Sequence, residues 1–297
     1  MRNSQSKYLC AMKLSRGVWL MLLASLSFGL MNVSVKFVHN MPVSQVVFFR
    51  ALVQIVLSLS ILFQLKQSPW GKNPKLLAMR GLFGSIGLFC YFYTLQVMPL
   101  GNAIVIHYLS PILTTLVAVA LGDEKNHPLS YLFFALCMAG VVVVNGVSQE
   151  VTTYGVIAGL GGALFSAFAY NTIRRLKNLE NPNVVVFYFP LITLPLSLMA
   201  WWLFDDSWRW PEGMEWVWLL MTGVTTQLGQ FFMTRAYQSD KASNVSAISY
   251  AGILWGAGFG VFLFDEQYQW LQYAGMALVL LGMALNVRIN LRRGANQ

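Results

Sequence analysis

Apolar stretches of about 20 residues, each long enough to cross roughly 30 Å of hydrocarbon as a helix, recur along the whole chain. No other feature narrows the possible folds as far. In lipid every backbone N–H and C=O must find a partner inside the protein, and a helix satisfies that demand within a single segment. Ten spans are read, near 17–37, 43–64, 76–98, 101–122, 128–146, 154–173, 183–204, 215–237, 243–264 and 270–288. Charged residues make up 10% of the chain and hydrophobic ones 57%, against roughly 25% charged residues in a soluble domain. The expected fold class is an all-α integral membrane protein of ten transmembrane helices. Connections are short, which leaves no soluble domain. The stretch "LLASLS" behind a basic flank has the look of a secretory signal, but the apolar run from Gly17 to Phe37 exceeds an h-region of about 7–15 residues and is read as a mature helix.

The net charge of +9 is compatible with nucleic acid or an anionic surface, but its distribution points elsewhere. Arg2, Lys7, Lys13 and Arg16 flank the first span. Lys66, Lys72, Lys75 and Arg80 follow two spans later, then Lys125, then Arg174, Arg175 and Lys177, then Arg235 and Lys241, then Arg288, Arg292 and Arg293. The intervening loops hold Arg209 alone. Positive residues mark the cytoplasmic face, so a multi-pass protein of the cytoplasmic (inner) membrane with both termini on the cytoplasmic side is expected, with no nucleic-acid partner. Cys10, Cys90 and Cys137 show no CxxC spacing and read as small apolar residues, not as a metal or disulfide framework.

Sliding the chain by 142 positions aligns residues 77–146 with 219–288 without a gap. Gly81 meets Gly223, Gly87 meets Gly229, Gln96 meets Gln238, Asn102 meets Asn244, Tyr108 meets Tyr250, Asp123-Glu124 meets Asp265-Glu266, and Gly140 meets Gly282. Hydrophobic bias alone does not match polar and glycine positions. Earlier spans continue the pattern with small shifts: "VVFF" at 46–49 meets "VVFY" at 185–188, and Lys36 meets Arg174. The expected organisation is a cytoplasmic tail (1–16), a five-helix unit (17–146), a second such unit (154–288) and a tail (289–297). Five is odd, so the second unit enters the membrane from the opposite side. Inverted repeats of this kind recur in secondary transporters, with the solute between them.

The run "MRGLFGSIGLFCYFYTLQVMPLGNAIVIHYLSPILTTLVAVALGDE" (79–124), "FFRA" at 48–51 and "ASNVSAISYAGILWGAGFGVFLFDE" (242–266) resemble the EamA-type branch of the drug/metabolite transporter superfamily. The resemblance covers essentially the whole chain and implies ten helices in two EamA units and carriage of small metabolites, with the substrate left open. The second copy has Gly252 in place of Ser110 and no proline matching Pro111, so a helix break near Pro111 is not required to recur in helix 9.

Two cations stand at membrane depth, Lys36 and Arg50. Lys36 is read as snorkelling to the interface. Arg50 lies about 10 Å along its helix, where an arginine costs on the order of 3 kcal/mol. Every one of the 11 acidic residues falls in a loop or at a helix end, so Arg50 is left with carbonyls, aromatic faces, water or an anionic solute. The structural alternative has it tying helix ends together or reaching Asp265 or Glu266. His107 is the one titratable candidate for a proton relay inside a span; its alternative is a neutral imidazole bonded to a neighbouring helix. The substrate-binding set read from polar and aromatic residues among small ones is Arg50, Tyr91, His107, Tyr108, Gln227, Tyr250 and Trp255, with Asn32, Tyr93, Ser110, Tyr170, Asn171, Gln230 and Ser249 as further lining. Gly252, Gly256 and Gly260, like Gly155 and Gly159, form small-residue stripes for close helix packing.

The spans contain no HExxH or GxSxG motif and no paired acids, so a membrane-embedded enzyme or lipid-handling protein is disfavoured. The expected function is a secondary carrier for a small metabolite, an organic anion favoured, working by alternating access. The alternative within that class is a neutral or cationic solute such as an amino acid, vitamin or nucleoside-like compound. The expected partners are the solute, membrane lipid and, as a homodimer, a second copy. No cofactor and no metal is expected.

Overall fold

The computed structural model describes residues 16–121, 128–146, 151–204, 208–239 and 248–295. Cys10, Asp123, Glu124, Lys125, Glu150, Asp205, Asp206, Asp240, Lys241 and Asn244 lie outside the described residues. Among those described, eleven helices follow in order: α1 (Arg16–Phe37), α2 (Val43–Gln64), α3 (Pro74–Val97), α4 (Leu100–His107), α5 (Ser110–Ala120), α6 (Pro128–Gly146), α7 (Thr153–Arg175), α8 (Pro182–Phe204), α9 (Glu215–Ser239), α10 (Ala251–Phe264) and α11 (Trp270–Ala295). Five of these, α1, α2, α3, α7 and α8, contain apolar runs long enough to cross a membrane. The chain is all-helical over the described residues and multi-pass.

Local chemistry sets several boundaries. Proline opens α3, α6 and α8, where its missing N–H is one the first turn leaves unpaired in any case. Thr152 caps α7 by accepting the Gly155 N–H at 3.1 Å. Gly71 turns the loop before α3 with φ +64°, a left-handed conformation open to glycine at little cost. Next to it Glu180 accepts the backbone N–H groups of Lys72 and Asn73. At α4, Glu266 accepts the N–H groups of Leu100 at 2.6 Å and Gly101 at 3.4 Å and also takes a hydrogen bond from the Tyr268 hydroxyl. Anionic groups favour such helix N-termini. Glu266 is therefore committed here and does not meet Arg50.

The span expected at 101–122 is two helices. The break at Tyr108 and Leu109 precedes Pro111, which has no N–H to continue the ladder. Tyr250 also lies in a turn, between helical residues 248–249 and α10. The two tyrosines have nearly the same backbone angles, φ −71° and ψ 4° at Tyr108 and φ −67° and ψ −12° at Tyr250. The interruption thus recurs without the proline. The two interrupted segments pack closely, because a Cβ at Gly252 would overlap the Tyr108 hydroxyl and one at Gly256 would overlap Ile104.

Helix pairing runs between the two halves of the chain. The main partners are α1 with α9, α3 with α7, α6 with α11 and α2 with α8, supplemented by α3 with α8, α9 with α2, α5 with α7 and α10 with α1. Without a hydrophobic force between helices in lipid, small residues that let backbones meet supply the attraction. At the α6–α11 contact, a Cβ on Gly140 would stand 2.7 Å from the Gly275 carbonyl, and one on Gly275 would stand 2.7 Å from Val144 Cγ2. An aromatic group of Phe48, Phe49, Trp201, Trp208, Trp210 and Trp216 gathers at one end of the bundle, the arrangement of an interfacial belt.

Gly275→Val therefore forces α6 and α11 apart and is expected to destabilise the fold by about 1–3 kcal/mol. Gly258→Ala, where nothing among the described residues lies within 4 Å of the added atom, is expected to raise stability by about 0.5–1 kcal/mol, because glycine in a helix interior loses more backbone freedom on folding than alanine. Thermal unfolding of the purified variants in detergent measures both.

Candidate functional site

A cavity of about 110 Å³ lies where α1, α2, α3, α7, α8 and α9 meet the α4–α5 break, and its wall includes Arg50, Arg80, Tyr91, His107, Tyr108, Tyr170, Phe189, Thr226 and Gln230. Most of the remaining lining is apolar, from Met21, Phe28, Met31, Leu88 and Met233. Such a chamber, apolar with a few placed polar groups, is the ordinary form of a small-molecule site.

Two guanidinium groups dominate its electrostatics. Arg50, on α2, is fully buried. Its Nε donates to Thr226 Oγ1 at 3.2 Å, and its Cζ stands 5.0 Å from the Phe189 ring centroid and 5.7 Å from that of Phe92. Nη1 and Nη2 have no hydrogen-bond partner among the described residues. Sequence reasoning placed Arg80 among the loop cations beside Lys66, Lys72 and Lys75, and the structure corrects this. Arg80 lies inside α3, 2% exposed. Its Nη2 donates to Gln230 Oε1 at 2.8 Å, and its Cζ stands 4.6 Å from the same Phe189 ring. Nε and Nη1 have no hydrogen-bond partner among the described residues. A signal was available, since Arg80 follows the helix-opening Pro74 by six residues, roughly 9 Å of helical rise and too deep for a loop.

Glycine makes this stack possible. A Cβ at Gly84 would overlap Arg80 Nη1 and stand 2.8 Å from Phe189 Cε2, so no larger residue fits one turn beyond Arg80. The register that pairs 46–49 with 185–188 also pairs Arg50 with Phe189. At matching positions of the two chain halves one copy supplies the cation and the other the ring beneath it. Each cation–π contact contributes about 1–2 kcal/mol when desolvated, and a hydrogen bond from a charged group about 1.5–3 kcal/mol. The effective penalty for burying one ion is several kcal/mol. The neutral partners reduce that cost without removing it.

The structure distributes the other sequence-derived candidates unevenly. Tyr91 and His107 line the cavity and stack on each other, 4.0 Å between centroids and 25° between planes; His107 Nδ1 has no hydrogen-bond partner. Tyr108 lines it and packs on Tyr250 at 5.7 Å, while Tyr250 itself stands behind the wall. Gln227 is turned away and accepts from Ser58 Oγ at 3.2 Å. Trp255 is 38% exposed and donates its Nε1–H to Ser25 Oγ at 3.3 Å. Asn32, Ser110, Tyr170, Gln230 and Ser249 are in the wall, whereas Tyr93 faces outward at 39% exposure and Asn171 spends its amide N–H groups on the Thr114 and Ala167 carbonyls. Lys36 does not reach for solvent; its Nζ donates to the Met98 carbonyl at 2.6 Å and the Leu95 carbonyl at 3.4 Å, closing the C-terminal end of α3.

Thr226→Val removes the Arg50 Nε partner at nearly constant volume and leaves the third guanidinium nitrogen of that buried cation without a partner. A loss of about 1–3 kcal/mol in thermal stability is expected, and saturating organic anion is expected to restore part of it by binding the folded state. Unfolding scans with and without the anion measure this.

The EamA-like transporter family matches twice, over residues 15–146 and 153–288. The pseudopaline exporter CntI of Pseudomonas aeruginosa is 30% identical over 271 residues, covering 90% of this chain and 94% of that protein. Solute carrier family 35 member G1 of Homo sapiens is 24% identical, covering 93% and 79% respectively. An uncharacterized transporter of Helicobacter pylori is 29% identical over 89% of this chain. One crystal structure superposes with a TM-score of 0.72 at 21% identity over 95% of the chain, a likeness of fold alone. This chain is a multi-pass membrane protein that belongs to the EamA-like transporter family.

Proposed function

We propose that the protein is a secondary transporter that moves a small organic anion across the cytoplasmic membrane by alternating access. The observation that carries the reading is Arg50, fully buried in the wall of a central cavity with both Nη groups unpartnered among the described residues. A fixed buried cation without a protein counter-charge is stabilised by an anionic solute and repels a cationic one. The relatives with functional names are an exporter and a solute carrier, in keeping with a small-molecule cargo.

Alternation in this reading follows from ten spans in two inverted five-helix repeats with both termini cytoplasmic. Helix pairing supports it. Exchanging the halves turns the α1–α9 contact into α7–α3, the α3–α8 contact into α9–α2 and the α5–α7 contact into α10–α1, and each member of these pairs occurs. The same exchange maps the α6–α11 packing onto itself: Gly140 meets Gly275 and Val279, while its counterpart Gly282 meets Phe133 and Cys137, residues offset by 142 from those two. A module and its inverted copy have two packings of nearly equal energy, related by exchange of roles, and this degeneracy is what alternating access uses. His107, stacked on Tyr91 in the cavity wall, is the proposed proton relay if transport is coupled to protons.

Counterflow in proteoliposomes tests the function. Vesicles loaded with a panel of metabolite anions are expected to exchange labelled anion only when they contain the protein. Arg50→Ala is expected to slow exchange roughly 30-fold or more, from loss of a charged hydrogen-bonded contact, at near-normal membrane abundance. The proposal fails if neutral or cationic solutes exchange while anions do not. An equal fall in abundance and exchange makes Arg50 a structural residue.

A further inference from the structure

We infer that the cavity takes a solute carrying two negative charges, held by Arg50 and Arg80 together. This rests on the anion-transport reading and goes beyond it by assigning the charge of the cargo and a second binding cation.

The two guanidinium groups line one cavity and lean on one ring. Their remaining hydrogen-bonding capacity divides cleanly. Arg50 has given Nε to Thr226 and keeps the Nη1 and Nη2 end as a free fork. Arg80 has given Nη2 to Gln230 and keeps Nε and Nη1. Their partners among the described residues are neutral: a hydroxyl, an amide and aromatic rings.

The carboxylates among the described residues are occupied or remote. Glu180 holds the N-terminus of α3, Glu215 pairs with Arg209, Glu266 holds the N-terminus of α4, and Glu212 and Asp265 are exposed. A monoanion bound to either arginine leaves the other cation buried and uncompensated, at a cost of several kcal/mol. A dianion neutralises both and turns the repulsion between two neighbouring cations into two attractions. Sites whose buried polar groups need a partner discriminate steeply against an analogue that lacks one.

The rest of the wall selects less sharply. Met21, Met31 and Met233 supply flexible, polarisable surface that adapts to varied apolar shapes. Charge number, not the outline of the body, is thus what this cavity measures.

Matched probes separate these terms: aliphatic diacids of increasing chain length and phthalate, each compared with its monomethyl ester, together with phenyl phosphate. Binding is measured by titration calorimetry on the purified full chain in detergent. Wild type is expected to bind at least one diacid roughly tenfold or more tightly than its half-ester, and Arg80→Gln is expected to abolish that ratio. Arg80→Gln risks misfolding, so Gln230→Glu provides a second arm. It places a carboxylate on the Arg80 Nη2 group at constant shape, neutralises that cation within the fold, and is expected to equalise diacid and half-ester.

Phenyl phosphate binding that weakens in both variants supports the inference and places both charges on one phosphoryl group. Equal affinity for diacid and half-ester in wild type overturns it, as does a preference that survives Gln230→Glu in a folded protein. Absence of dianion binding alongside exchange of monoanions in proteoliposomes overturns the two-charge assignment and leaves anion transport standing. Absence of any anion exchange removes both.

Discussion

Two arginines buried against a single phenylalanine ring are the constraint around which the centre of this molecule is organised. Arg50 and Arg80 are among the largest fully buried side chains, and the helices around them supply rings, one hydroxyl and one amide in place of a carboxylate. That choice has a cost and a use. An internal acid would quench the charge permanently, as in a buried ion pair. Neutral partners hold the guanidinium groups in place and leave four nitrogens of these cavity-lining side chains without a hydrogen-bond partner among the described residues. In the proposed anion carrier such a site is charged when empty and compensated when filled, so occupancy itself would change the energy of the buried centre.

Packing around the site serves the same end. Gly84 yields its side-chain volume to Arg80, and Gly252 and Gly256 yield theirs to Tyr108 and Ile104. Backbones thereby come close enough for α4 and α10 to pack against each other. Chain interruptions at membrane depth are tolerated where they face protein or a chamber and not lipid, and both tyrosine turns satisfy that condition. Glu266 strengthens the arrangement by anchoring the first turn of α4 from the loop that follows α10.

Much of this was legible beforehand, for identifiable reasons. Hydrophobic run length identifies helices in a membrane because lipid offers no alternative partner for the backbone. Arg50 was legible because a lone cation in an apolar run is costly wherever it points. Arg80 was not, because it follows Lys66, Lys72 and Lys75 closely enough to join their cluster by eye, although its distance from Pro74 already put it two turns into a helix. Gln227 and Gln230 show the limit of periodicity. Three residues apart on one helix, they differ by about 60° in facing, and only packing decides that one meets Ser58 and the other meets Arg80 in the cavity.

The sequence by itself determined the solvent, the helical fold class, the internal similarity of the halves and the excess of buried positive charge, because these depend on run length, composition and residue order. Tertiary structure alone decided that Arg50 and Arg80 share one ring, that Glu266 is spent on a helix end, that Trp255 and Tyr93 are partly exposed, and that a turn recurs at Tyr250 without a proline. The reason is physical: each of these outcomes is settled by contact between residues far apart in the chain, and rotation of one helix by a fraction of a turn exchanges a cavity-facing side chain for a packed or exposed one.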